Sequence, residues 1–139
     1  MTDDVLINKV EIIERCLRRI HEEYGGQSEN LRLHQTKQDS ILLNLERACQ
    51  AAIDLAMRVV RIRRLGLPKE SREAFDLIMA AGIIDMDLCR KMHGLVGFRN
   101  TAIHNYRKID LDIVETVITR QLDDFLQLSQ RVLQAHGDL

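Results

Sequence analysis

The sequence predicts an all-α protein, an up-and-down bundle of four longer helices and one short helix. Apolar residues recur every three or four positions over long stretches, strand-like alternation is almost absent, and the chain contains a single proline. The 139 residues show no internal repeat and no linker long enough to divide them. We therefore expect one domain that spans residues 1–139.

The first two helices are predicted from long apolar stripes. The first is expected from about Asp3 to Tyr24 and ends at the glycine pair 25–26. The second follows a polar stretch, runs to Gly66, and is stopped by Pro68. Their stripes consist of Leu6, Val10, Ile13, Leu17, Ile20 and Tyr24 in the first helix, and Ile41, Leu42, Leu45, Cys49, Ala52, Leu55, Ala56, Val59 and Val60 in the second.

Three further helices are predicted from capping residues that precede shorter stripes. Ser71 is expected to cap the short third helix, Asp85 the fourth and Asp110 the fifth. Ile109 and Val114 occupy the positions of a hydrophobic staple at the start of the fifth helix. The predicted inward faces are Phe75, Ile78 and Met79; Leu88, Cys89, Met92, Leu95 and Val96; and Ile113, Val114, Val117, Ile118, Leu122, Phe125 and Leu126.

Composition and charge exclude several classes of protein. The content of 45% hydrophobic and 29% charged residues is typical of a soluble globular protein. No apolar run is long enough to span a bilayer, and the acidic N-terminus does not have the pattern of a signal peptide. Three widely spaced cysteines argue against a disulfide framework and a zinc ribbon. We therefore expect a cytoplasmic protein with no membrane association.

A basic cluster, RVVRIRR, lies near the end of the second helix. It places Arg58, Arg61 and Arg64 on successive turns. Cations near a helix C-terminus are favoured by the helix dipole, so a solvated surface explains the cluster. The alternative is a set of contacts to RNA phosphates, which require several cations along one surface.

Asp85, Cys89 and His93 follow one another at intervals of four and present three potential metal ligands on one helix face. A second ligand cluster is missing from the sequence, and Cys89 also fits the apolar stripe. We therefore expect no metal site and no cofactor. The common hydrolase, nucleotide-binding and metalloprotease motifs are also missing.

The segment GFRNTAIHNY, residues 97–106, carries the strongest candidates for chemistry. Arg99 and His104 are five apart, so on a regular α-helix they would point about 140° away from each other. Two arrangements bring them together: the helix loosens or ends near residues 102–105, or two chains meet at a dimer axis. Gly94 and Gly97 favour the second arrangement because glycines admit another backbone.

Arginine and histidine suit the cleavage of RNA. Arg99 can neutralise a phosphate with its planar fork, and His104 can transfer a proton near neutral pH. Attack of the ribose 2′-OH on the adjacent phosphorus needs no metal and no protein nucleophile. A second acid or base is required, for example His104 of a partner chain. Read from spacing alone, the same residues also fit an ordinary polar helix end.

The stretch RNTAIHNY resembles the R-x4-H-x-Y motif of the HepT-like branch of the HEPN superfamily. Arg99, His104 and Tyr106 occupy its three defined places, and Asn100 the polar position after the arginine. Upstream, LGLPKESREAFDLIMAAGIID is similar to the segment of the family that precedes the motif. Downstream, YRKID is similar to its entry into the last helix. The resemblance covers most of the chain and implies a helical bundle of the HEPN type.

The resemblance implies a metal-independent ribonuclease toxin of a prokaryotic toxin–antitoxin pair, acting as a homodimer on tRNA or mRNA. Arg99 and His104 are the implied catalytic pair, with Asn100 orienting one of them. The implied partner is an MNT-type nucleotidyltransferase antitoxin that transfers AMP to Tyr106. The alternative, from a different class, is a non-catalytic helical subunit that binds such a nucleotidyltransferase.

Overall fold

The computed structural model describes residues 3–103 and 109–137, and these residues form helices joined by short connections. The chain forms α1 (Asp4–Tyr24), α2 (Ser28–Arg32), α3 (Gln35–Arg63), α4 (Ser71–Ala80), α5 (Met86–Phe98), a π-helical segment (Arg99–Ile103), α6 (Leu111–Arg120) and α7 (Leu122–Gly137). No strand occurs within this part of the chain, so the predicted all-α class is confirmed. No helix in the same residues is long and apolar enough to cross a membrane.

Carboxylate side chains define where three of the helices begin. Asp3 accepts hydrogen bonds from two backbone amides in the first turn of α1. Asp85 and Asp110 cap α5 and α6, as predicted. The cap predicted for α4 is displaced by one residue, because Glu70 holds the cap position and Ser71 is the first helical residue.

The polar stretch after α1 contains a short helix, α2, that the sequence pattern does not predict. Five residues are too few for an apolar period, and contacts with distant elements hold the helix. Leu31 is completely buried in the core. Arg32 forms ion pairs with Asp112 at 2.6 Å and with Glu115 at 3.1 Å, both on α6.

The predicted fifth helix is in fact two helices, α6 and α7, which are separated at Gln121. The break allows α6 to pack against α2 while α7 packs against α1, α3 and α5. Because the stripe changes direction, two residues predicted to face the core, Ile113 and Leu126, are exposed. Leu128 and Val132 on α7 contribute to the core in addition to the predicted residues.

The buried side chains form one hydrophobic cluster, and the pair of α1 and α3 makes the largest contact within it. α5 packs against α3, α4 and α7, and the π-helical segment that follows it also contacts α3. The C-terminal end of α5 and the segment that follows it are therefore held against α3. This arrangement positions the candidate arginine, Arg99, at the surface of α3.

Candidate active site

The residues of the motif begin where α5 changes into a wider helix. α5 ends at Phe98, and residues Arg99–Ile103 form a π-helical segment. In a π-helix the backbone bonds join residues five apart rather than four apart. A spacing of five, which separates two side chains on an α-helix, places them on neighbouring turns of one face in a π-helix. The helix therefore loosens at Arg99, earlier than residues 102–105 where the sequence predicted it, and the alternative of two chains meeting at a dimer axis stays open.

Arg99 is half-buried and its guanidinium is incompletely satisfied. Nη1 donates to Oδ1 of Asn100 at 3.3 Å. Nε is buried and has no hydrogen-bond partner in the described part of the chain. A buried donor without a partner is costly unless a ligand or water accepts from it. An anion that reached this atom after a movement of the surrounding side chains would satisfy it.

Asn100 and Thr101 stand at the exposed side of the same segment. The Asn100 amide oxygen accepts from Arg99, which places it where the sequence analysis expected an orienting residue. The Thr101 hydroxyl donates to the backbone oxygen of Gly97 at 2.8 Å. This bond satisfies one of the carbonyls that the widened helix releases.

The wall behind Arg99 is formed by α3. The Cys49 thiol is buried there and lies 3.9 Å from the backbone oxygen of Leu95. The pKa of Cys49 is raised to about 12, mainly by burial. The charge of Arg99 opposes this increase, and the charge of Glu46 adds to it. Arg99 and the half-buried Glu46 are therefore both close enough to act on the charge of one thiol.

Glu46 is a candidate site residue that the sequence pattern did not point to, because its charge acts on the same Cys49 thiol as that of Arg99. It precedes Cys49 by three positions, so it lies on the same side of α3 as the predicted stripe. An acidic residue next to an apolar stripe was the available signal. Its proximity to the site could be recognised only after α3 and α5 were placed together.

The other half of the motif lies outside the described residues. His104 and Tyr106 both fall within residues 104–108, so their predicted roles stay predictions. His104 directly follows Ile103, the last residue of the π-helical segment.

Gly97 lies against a side chain of its own chain, and its predicted contact with a second chain stays a prediction. A Cβ atom at this position would lie 2.6 Å from Nη2 of Arg72. Arg72 on α4 crosses α5 here, and its Nε donates to the backbone oxygen of His93 at 3.3 Å. Gly94 is different, because a Cβ atom there would have no neighbour within 4 Å. Of the two glycines, Gly94 alone keeps an open surface.

The predicted basic cluster does not form a continuous track. Arg58 is half-buried and pairs with the Asp3 carboxylate, with Nη2 and Oδ2 2.9 Å apart. This pair joins α3 to the start of α1. Arg61 and Arg64 are exposed and line an open recess of about 570 Å³ with Met57 and Pro68. These two are the more accessible of the three candidates, and the contacts of all three with RNA phosphates stay predictions.

The three potential metal ligands considered from the sequence, Asp85, Cys89 and His93, do not form one group in the structure. Asp85 Oδ1 accepts from the backbone amide of Leu88 at 2.8 Å and serves as the cap of α5. Asp76 on α4 takes its place beside Cys89 and His93. These three side chains lie on the α4–α5 surface and form a group separate from the motif.

Comparison with known proteins identifies the family. A family model described as Ribonuclease HepT-like matches residues 13–132. The mRNA nuclease HepT of Shewanella oneidensis is 41% identical over 125 residues, which cover 90% of this chain and 93% of that protein. Both findings agree with the resemblance drawn from the R-x4-H-x-Y motif, which is confirmed.

Solved structures agree in fold along nearly the whole chain. One is the tri-AMPylated Shewanella oneidensis HEPN toxin in complex with MNT antitoxin, with a TM-score of 0.88 and 39% identity. The match covers 96% of this chain and 99% of that one. Another, a crystal structure of a toxin–antitoxin with AMP-PNP, has a TM-score of 0.87 and 38% identity, and the match covers 94% and 99% of the two chains. The chain belongs to the ribonuclease HepT-like family.

Proposed function

We propose that this protein is a metal-independent RNA endonuclease, the toxin of a cytoplasmic toxin–antitoxin pair, and that residues 1–139 act as one domain. The observation that carries the proposal is the π-helical segment that begins at Arg99 and leads directly to His104. A helix of this kind supports the proposal, because its backbone bonds join residues five apart, the spacing of the arginine and histidine in the motif. Family membership and the similarity to an mRNA nuclease support the choice of RNA as substrate, with mRNA as the first target to test.

In the proposed reaction, Arg99 binds the scissile phosphate. Its Nε atom is buried and has no partner among residues 3–103 and 109–137, and its fixed charge is suited to the negative charge that develops on the phosphate oxygens. Asn100 holds one edge of the guanidinium, so the remaining donors point in a limited range of directions. The carboxylate of Glu46 adds a counter-charge on the α3 side, which keeps the buried end of the site close to neutral.

His104 transfers protons in this scheme. A base removes the proton of the ribose 2′-OH, the oxygen attacks the adjacent phosphorus, and the bond to the 5′-oxygen breaks. An acid then supplies a proton to that 5′-oxygen. The products are a 2′,3′-cyclic phosphate and a 5′-hydroxyl, so atoms and charges balance without water.

A single histidine cannot be base and acid at the same moment. We therefore propose a homodimer in which the His104 residues of the two chains meet in one shared cleft, one acting as the base and the other as the acid. Gly94 and the neighbouring Phe98, Ile113, Thr116 and Val117 line an open recess of about 330 Å³ on this side of the molecule, which offers room for a second chain.

The proposed antitoxin is an MNT-type nucleotidyltransferase that transfers AMP to Tyr106. Solved structures of similar toxins contain this class of partner and an AMPylated toxin. An AMP group beside the motif would add bulk and negative charge, which opposes the entry of an RNA phosphate. Regulation by this route requires no change in the fold.

A cleavage assay tests the catalytic proposal. Purified protein is incubated with mRNA in excess EDTA beside Arg99→Ala and His104→Ala, and beside Arg90→Ala and His21→Ala as controls of the same residue type at exposed positions. We expect the motif variants to lose about 10²–10³-fold in rate and the controls to match the parent. If the parent leaves RNA intact, the protein is a non-catalytic subunit and the proposal is wrong.

The antitoxin proposal has its own test, because it concerns a different residue. The protein is incubated with the nucleotidyltransferase and ATP, and its intact mass is measured. Mass increments of AMP that disappear in Tyr106→Phe support the proposal. Increments that persist in Tyr106→Phe, or no increment in the parent, contradict it. Tyr24→Phe is the matched control.

A further inference from the structure

A group of three potential metal ligands lies on the α4–α5 surface, apart from the motif. Asp76 comes from α4, and Cys89 and His93 come from successive turns of α5. His93 Nε2 lies 2.8 Å from Asp76 Oδ1. Cys89 Sγ lies 3.5 Å from the same oxygen and 3.7 Å from His93 Nε2. One oxygen, one sulfur and one nitrogen atom therefore converge on a single point.

These spacings are close to those of a tetrahedral zinc site. Bonds of about 2.3 Å to sulfur and about 2.0 Å to nitrogen and oxygen separate the ligand atoms of a tetrahedral Zn²⁺ by roughly 3.3–3.6 Å. The distance from Cys89 Sγ to Asp76 Oδ1, 3.5 Å, lies in this range, and the distance from Cys89 Sγ to His93 Nε2, 3.7 Å, is about 0.1 Å above it. The distance between Asp76 and His93 must widen by about half an ångström, which side-chain rotation provides.

The three ligands are held by the surrounding helices. Cys89 is 4% exposed, so its sulfur is fixed from behind by the core. The Asp76 and His93 side chains are 49% and 34% exposed, which leaves the solvent side open to an incoming cation. Arg72 Nε also donates to the backbone oxygen of His93 at 3.3 Å, which is a second contact between α4 and α5. A pre-arranged set of this kind loses little freedom when it binds a metal.

The mixture of donors indicates which metal. Thiolate and imidazole favour Zn²⁺ and related thiophilic cations over Mg²⁺ and Ca²⁺, which prefer oxygen ligands. Without a metal, burial and the hydrogen bond to Asp76 raise the pKa of Cys89 to about 11, so the sulfur holds its proton. Binding would replace this proton, which passes to solvent, and the imidazole would hold its hydrogen on Nδ1.

We propose that Asp76, Cys89 and His93 bind one Zn²⁺, with water in the fourth position, and that the metal joins α4 to α5. The site is distinct from the proposed cleavage site. Arg99 lies six positions after His93, which on an α-helix corresponds to about 9 Å along the axis and about 120° around it. RNA cleavage therefore continues in EDTA, and the metal serves to fix the two helices.

Cobalt spectroscopy tests this proposal without an RNA substrate. The metal-free protein is titrated with Co²⁺, and then with Zn²⁺ in competition. We expect one Co²⁺ per chain, a thiolate-to-cobalt charge-transfer band, the visible bands of tetrahedral cobalt, and loss of all of these on addition of Zn²⁺.

Variants place the site. Cys89→Ser should abolish the charge-transfer band, and Asp76→Asn and His93→Gln should each weaken binding at least tenfold. Cys16→Ser and His21→Ala change the same types of residue on a different helix, α1, and should bind cobalt as the parent does. Circular dichroism confirms that each variant is folded, and His93→Gln keeps the test valid if Cys89→Ser does not fold. No binding at micromolar cobalt, or a charge-transfer band that survives in Cys89→Ser, would overturn the proposal.

Discussion

The two ends of α5 are built in opposite ways. At the first, Asp85 accepts a hydrogen bond from the amide of Leu88 at 2.8 Å, and the helix begins with regular geometry. At the other, no stop residue ends the helix: Arg99 keeps helical angles, with φ −58° and ψ −45°, and the chain continues into the π-helical segment. At the first end, a side chain next to the helix satisfies a backbone amide of the first turn. The second leaves a buried arginine donor without a partner in the described residues.

This difference suggests that the two ends of the helix serve different purposes, the first end for stability and the second for the proposed function. A capped start depends on neighbours in sequence and contributes to folding. A π-helical end is less favourable than an α-helical one and persists when the surrounding structure fixes it, here through contact with α3. We infer that changes at Asp85 affect stability and that changes at Arg99 affect catalysis, with little exchange between the two.

Arg99→Lys should give the largest effect. Lysine keeps the charge but loses the planar fork and the buried Nε, so we expect the single-turnover cleavage rate to fall about 10–100-fold while the melting temperature stays near that of the parent. Arg90→Lys, an exposed arginine on the same helix, is the control. A melting temperature that falls together with the rate would show that the irregular end is structural.

Asp85→Ala should act at the regular end. Loss of the cap should lower the free energy of unfolding by about 1 kcal/mol, measured by urea denaturation, and leave the cleavage rate of the folded protein unchanged. Asp87→Ala is the matched control, because Asp87 is exposed in the same turn and pairs with Lys91 at 3.1 Å on the surface. Equal losses in the two variants would mean that the cap contributes nothing special.

Acid should weaken another capped start, that of α1. The hydrogen bond from Arg58, followed in effect by those from the first-turn amides, holds the pKa of Asp3 below its usual value of 3.8. Because the folded pKa is the lower one, this stabilisation is complete above pH 3.8 and is lost as the pH falls through the folded pKa. We expect Asp3→Asn to lose less stability than the parent between pH 6 and pH 3. Denaturation at each pH measures this, and equal slopes would contradict it.

Gly97→Ala should have the smallest effect. The new Cβ would meet only the flexible end of Arg72, which can move, and alanine favours the helix by up to about 1 kcal/mol. We expect the free energy of unfolding to change by less than about 1 kcal/mol and the oligomeric state to stay the same in sedimentation. Dissociation of the dimer in this variant would instead place Gly97 at a contact between chains.

Sequence patterns predicted most of the fold because the longer helices carry their own period and caps. Asp85 and Asp110 are caps as expected. The two features that the patterns did not predict depend on tertiary contacts. The short helix α2 is held by Leu31 in the core, and α6 separates from α7 at Gln121 because the two helices pack against different partners.

The site was predictable only in part. Arg99 and its neighbour Asn100 were found from the motif, whereas Glu46 and Asp76 belong to helices distant in sequence from the residues they approach. The spacing of the arginines also suggested a basic track through Arg58. The sequence could not show that Arg58 pairs with the Asp3 carboxylate, because the two residues are 55 positions apart. Pairings of this kind follow from how helices are placed, which local periodicity does not specify.

The chemistry of the RNA ends tests the central claim most directly. Fragments produced by the parent in excess EDTA are analysed by mass spectrometry, beside the same RNA with a 2′-deoxy sugar at the cleavage position. We predict a 2′,3′-cyclic phosphate and a 5′-hydroxyl, no cleavage at the deoxy position, and loss of these products in Arg99→Ala. Fragments with 5′-phosphate ends, or cleavage of the deoxy substrate, would contradict the account.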